Sequence, residues 1–122
     1  MEILSSRVIV HPRDLAASRA FYEGVIGLSI YREWGVGVAY FLGGGHLELS
    51  AGPAHGATTV CVQVPSLDGV EAALRSAGVM VSKRAERMPW GLIELSVADP
   101  DGNELPLVEV PVDHPIRVRP RT

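Results

Sequence analysis

The chain has 122 residues and a formal net charge of −3, which excludes a nucleic-acid partner held by a basic face. Hydrophobic residues make up 47% and charged residues 20%, an ordinary globular composition that excludes disorder and suits a single domain over residues 1–122. With no long apolar window for a membrane span, no basic leader in MEILSSRVIV and a single cysteine, Cys61, the expectation is a cytoplasmic protein without disulfides or membrane partners.

Residues 5–11 read as a first strand ended by Pro12. A helix follows, capped by Asp14 and running to about Gly24, with Leu15, Ser18, Tyr22 and Val25 along one side and Phe21 beside them. SIYREW, VGVAYFL and GHLELSA read as three short strands, separated by Gly35 and by the Gly43–Gly45 turn. The stretch 52–57, GPAHGA, reads as a linker.

A second series opens with TTVCVQV, in which Cys61 reads as a buried, inert thiol. Its helix is capped by Ser66 or Asp68 and carries an apolar stripe of Leu67, Val70, Leu74 and Ala77. MVSKRAERM, LIELSVAD and ELPLVEV read as three more strands, the last two joined by the turn-forming run Asp99-Pro100-Asp101-Gly102-Asn103. The tail 111–122 contains Arg117, Arg119 and Arg121, to which no role is assigned.

Residues 7–27 and 59–78 therefore follow one plan: a β-branched run, a capping residue, an amphipathic helix and a closing glycine, Gly27 or Gly78. Two βαβββ modules, 5–51 and 58–110, follow from this repeat. The expected fold is α+β, an open, cup-shaped, eight-stranded mixed sheet with both helices on its outer face.

Three motifs carry a resemblance. DLAASRAFYEGVIGL in the first module, PWG before the seventh strand and DPDGNEL before the eighth resemble the vicinal oxygen chelate superfamily of glyoxalases, extradiol dioxygenases and bleomycin-resistance proteins. The resemblance extends to about residue 110 and implies one divalent metal in the cup. Carried over, its ligand positions fall on Arg7, Glu48, Thr59 and Pro106, of which only Glu48 is a good donor. The resemblance thus implies a dismantled metal site and no cofactor, unless His11, His46, Glu48 and Glu104 rebuild one. It also implies a homodimer, with clefts shared between subunits.

If Arg7 and Glu48 both point into the cup, they can pair and orient a polar ligand. Glu48 with His46 can alternatively act as base and proton relay. Trp34 and Trp90 precede turns that rim the cup, and with Tyr40 they suit a flat or cationic guest. The ligand-binding candidates are Arg7, Trp34, Tyr40, Glu48, Thr59, Trp90 and Pro106; the catalytic candidates are Glu48 and His46.

Three readings stay open. The first is metal-independent binding of a small, partly aromatic or cationic molecule, similar to bleomycin-resistance proteins. The second is a metal-free lyase, isomerase or hydrolase using Glu48, His46 or Arg7. The third is a divalent-metal enzyme of glyoxalase or dioxygenase type. The first accounts for the lost ligands and the aromatic side chains without requiring catalysis.

Overall fold

The computed structural model describes residues 2, 4–52 and 58–113. The 52–57 linker beyond Gly52, with His55, and the arginines of the tail lie outside the described residues. The chain divides into two compact units, one comprising residues 1–58 with the turn 99–103, the other residues 59–98 and 104–122.

The first unit opens with β1 (Arg7–Val10) and α1 (Leu15–Arg19). Asp14 caps α1 as expected, its carboxylate accepting from the Ala17 amide at 3.1 Å. The helix does not continue as α to Gly24. A π-helical segment, Ala20–Val25, takes over, and Phe21 and Tyr22 are both buried within it. These adjacent aromatics meet edge to face, with ring centroids 5.0 Å apart.

β2 (Ile30–Trp34), β3 (Gly37–Leu42) and β4 (Gly45–Ser50) complete the unit, in sheet order β1-β4-β3-β2 with β1 parallel to β4. Alternation along β3 and β4 puts Val38, Tyr40, Leu47 and Leu49 on the face toward the helix, all at most 1% exposed. Tyr22 and Tyr40 stack there with ring centroids 6.3 Å apart. The 99–103 turn belongs to this unit through Asp99, whose carboxylate accepts from the Tyr22 hydroxyl, the Asp101 and Asn103 amides and the Asn103 side chain.

The second unit repeats the pattern: β5 (Val62–Val64), α2 (Val70–Ser76), β6 (Val81–Arg87), β7 (Ile93–Ala98) and β8 (Glu104–Glu109), in order β5-β8-β7-β6 with β5 parallel to β8. Its core gathers Val60, Leu67, Leu74, Leu95, Val97, Leu105, Leu107 and Val110. The expected side-chain cap of α2 is absent. Gly69, at φ +72°, occupies the cap position, while Ser66 instead accepts from the Asp68 amide in a local turn. Gly78, at φ +78°, closes the helix, with the Val79 amide reaching back to the Leu74 carbonyl.

The two-module α+β expectation holds, with one four-stranded mixed sheet in each module. Cys61 is a correction. It precedes the short β5 and is exposed rather than buried. No helix among the described residues is long and apolar enough to cross a membrane.

Candidate functional site

The face of the first sheet opposite Tyr22 carries the polar chemistry. His46 and Glu48, two residues apart on β4, share this face because strand side chains alternate. Arg7 on β1 lies in register with His46, while Ala39 and Phe41 on β3 lie in register with Glu48 and His46. Ala39 is small and leaves open the space above its register partner, Glu48. A recess of about 350 Å³ results, lined by Ser5, Ser6, Arg7, Tyr31, Arg32, Ala39, His46 and Glu48.

Tyr31 and Arg32 both line this recess although they are neighbours on one strand. A regular strand would send them to opposite faces. The register slips between Ile30 and Arg32, so that Ile30 pairs with Tyr40 and Arg32 with Ala39. This bulge turns both side chains the same way.

Within the recess, Arg7 Nη1 donates to Glu48 Oε1 at 3.2 Å. His46 Nδ1 meets Ser5 Oγ at 3.3 Å, and its ring stacks against Tyr31 at 4.5 Å between centroids, tilted by 32°. Phe41 closes the ring cluster, 5.2 Å from Tyr31 and 5.7 Å from His46. Tyr31 and Phe41 are each about half exposed, leaving their faces available to a flat guest. The Arg32 guanidinium lies 4.9 Å above the Trp34 ring. Trp34 in turn packs closely against Gly37, where a Cβ would come within 2.5 Å of the indole.

The structure thus brings Arg7, His46 and Glu48 together. Tyr40 lies on the opposite face, fully buried, with its hydroxyl donating to Glu23 at 2.7 Å, so it does not line the recess. Trp34 supports Arg32 without itself being a lining residue. Thr59 bridges to Glu104 in the second unit, and Pro106 sits opposite Ser96 there. Trp90, exposed in that unit, donates its indole N–H to Glu94 at 2.8 Å. Sequence reasoning missed Ser5, Ser6, Arg32 and the role of Tyr31. No local pattern marks the bulge that gathers the last two.

The chemistry of a divalent ion does not fit this recess. Among the described residues no three His, Cys, Asp or Glu side chains converge. Glu48, the one carboxylate lining the recess, is engaged by Arg7, whose fixed positive charge repels a cation. His11 Nδ1 is held 2.8 Å from the Ser50 carbonyl oxygen. His46 and Glu48 have separate partners, Ser5 and Arg7, so no described hydrogen bond links them as a relay.

A family model described as Glyoxalase/Bleomycin resistance protein/Dioxygenase superfamily matches residues 6–107. Among solved structures, the chain is similar to lactoylglutathione lyase from Agrobacterium tumefaciens, at 23% identity over 84% of this chain and 90% of that one, with a TM-score of 0.73. It is similar to a glyoxalase/bleomycin resistance protein from Catenulispora acidiphila, at 25% identity over 89% and 100%, with a TM-score of 0.73. It is also similar to a bleomycin resistance determinant encoded on the transposon Tn5, at 22% identity over 86% and 96%, with a TM-score of 0.71. A search of curated proteins finds no match. The structural likenesses are likenesses of fold.

Proposed function

The chain belongs to the Glyoxalase/Bleomycin resistance protein/Dioxygenase superfamily, and from that premise we propose that it binds a small, partly aromatic molecule in the first module's recess without a metal ion. The observation that carries this reading is the Arg7–Glu48 pair at 3.2 Å, which commits the one good metal-donor carboxylate to a guanidinium. The half-exposed Tyr31 and Phe41, clustered with His46, offer flat apolar surface beside charged groups. The recess volume of about 350 Å³ lies within the range of small-molecule sites. Homodimerisation belongs to the same proposal, and light scattering after size-exclusion chromatography measures it.

The test uses chelator-treated protein. Planar aromatic fragments are titrated by nuclear magnetic resonance, and the same protein is melted with and without zinc, nickel, manganese, cobalt and ferrous ions. Saturable shifts at Tyr31, Phe41 and His46, with no ion raising the melting temperature, are the expected result. A rise of several degrees with one ion, lost in Glu48→Ala, overturns metal independence.

A further inference from the structure

We infer that the recess selects an anionic aromatic guest, a flat ring bearing a carboxylate or a comparable planar oxyanion, and that Arg32 is the residue that reads the charge. The inference rests on the binding reading above and fixes the chemical class of the ligand. It runs against the cationic guest expected from the sequence.

The charge inventory of the recess carries the argument. Its lining holds two guanidinium groups, Arg7 and Arg32, against one carboxylate, Glu48. Arg7 and Glu48 neutralise one another at 3.2 Å. Arg32 has no carboxylate within ion-pair distance among the described residues. Its strand neighbour Glu33 is committed elsewhere, to Arg19 Nη1 at 2.8 Å. One positive charge is therefore left over at the recess wall.

That charge is also held in place. Gly37 has no side chain, so the Trp34 indole packs closely against β3, and the Arg32 guanidinium lies over that indole at 4.9 Å. With its carbon over the indole, the guanidinium keeps N–H donors that can engage an oxyanion in bidentate fashion. The β2 bulge puts Tyr31 immediately beside it. A ring stacked on Tyr31 and His46 would carry its carboxylate toward the Arg32 cation seated over Trp34. Orientation costs less where the side chain, though exposed, already has a seat on the Trp34 ring. A cationic guest would meet Arg32 uncompensated, since Glu48 already faces Arg7.

The test compares three isosteric probes, 2-naphthoate, 2-naphthamide and 2-naphthamidine, titrated into the full chain at low salt. Dissociation constants are read from backbone resonances of the recess. The expected result is that naphthoate binds about tenfold or more tightly than the amide, the worth of one charge-assisted contact, with the amidine weakest. Arg32→Gln is expected to erase the preference for naphthoate over the amide, and Arg32→Lys to keep part of it. An unchanged amide resonance pattern establishes that each variant is folded. If the three probes bind the recess equally, or the amidine binds best, the charge assignment is overturned while the binding site stands. If none perturbs the recess, the binding reading falls, and this inference with it.

Discussion

Arg7 reaches Glu48 diagonally across the parallel β1–β4 pair, because its register partner is His46, and the two ends of the ion pair are buried very differently. The Glu48 side chain is 10% exposed and that of Arg7 57%. The carboxylate therefore has more to lose than the guanidinium when the partner goes. This asymmetry turns a static contact into a measurable difference between two substitutions.

Arg7→Met leaves the Glu48 carboxylate buried without its cation and is expected to cost about 1–2 kcal/mol, moderated by the solvent that already reaches the guanidinium. Glu48→Gln keeps an acceptor and leaves Arg7 free to solvate, so its cost is expected to stay below about 1 kcal/mol. Urea denaturation of both variants decides. Equal costs would show that the pair is not asymmetric in solution.

Tyr22 donates to Asp99 at 2.8 Å, a bond joining residues 77 apart in sequence and wholly buried. Tyr22→Phe is expected to lower stability by about 1.5–3 kcal/mol, the range for a hydrogen bond to a charged acceptor. Asp99 keeps its backbone and Asn103 donors, so the fold survives. A loss below about 0.5 kcal/mol in chemical denaturation would contradict the hydrogen-bond assignment.

Gly37→Ala would put a Cβ 2.5 Å from the Trp34 ring and 2.6 Å from the Leu49 carbonyl oxygen. Backbone cannot give way cheaply, so a cost of about 1–3 kcal/mol is expected. The tryptophan emission should change with it, since the indole loses its seat. A melting temperature and spectrum like those of the parent chain would exclude the close approach.

The Glu23 carboxyl is held below its usual range by its hydrogen bonds from Arg19 and, less strongly, from Tyr40. A depressed folded pKa stabilises above the unfolded value and is lost as pH falls through the folded one. Parent and Glu23→Gln stability curves should therefore converge on acidification below about pH 4, the ordinary carboxylate range. At the other end, burial and their carboxylate partners push the Tyr22 and Tyr40 hydroxyls above the ordinary tyrosine range. Their contribution is full below about pH 10 and declines above it, as the unfolded phenols ionise first. Phenolate absorbance should accordingly lag in both residues until the chain unfolds, and Tyr40→Phe should remove its share of the lag.

The order of elements, the twofold repeat, the Asp14 cap, the glycine stops and the 99–103 turn were legible in the sequence. Each is written in local chemistry: side-chain period, capping oxygen, left-handed glycine. Alternation along HLELS was also enough to put His46 and Glu48 on one face. The identity of the partners was not local. Tyr40 and Ala39 are adjacent, and only the strand pairing sends the tyrosine into the core against Tyr22 and leaves the alanine beneath the recess. The bulge at Tyr31 and Arg32 arises from a mismatch between two strands, and neither strand carries a mark of it alone. By itself the sequence determined the modules and the side chains that each strand carries. The tertiary structure alone decided that Arg32 lies over Trp34 with no carboxylate in ion-pair distance among the described residues, because that depends on where Glu33, Gly37 and the bulge fall relative to one another in space.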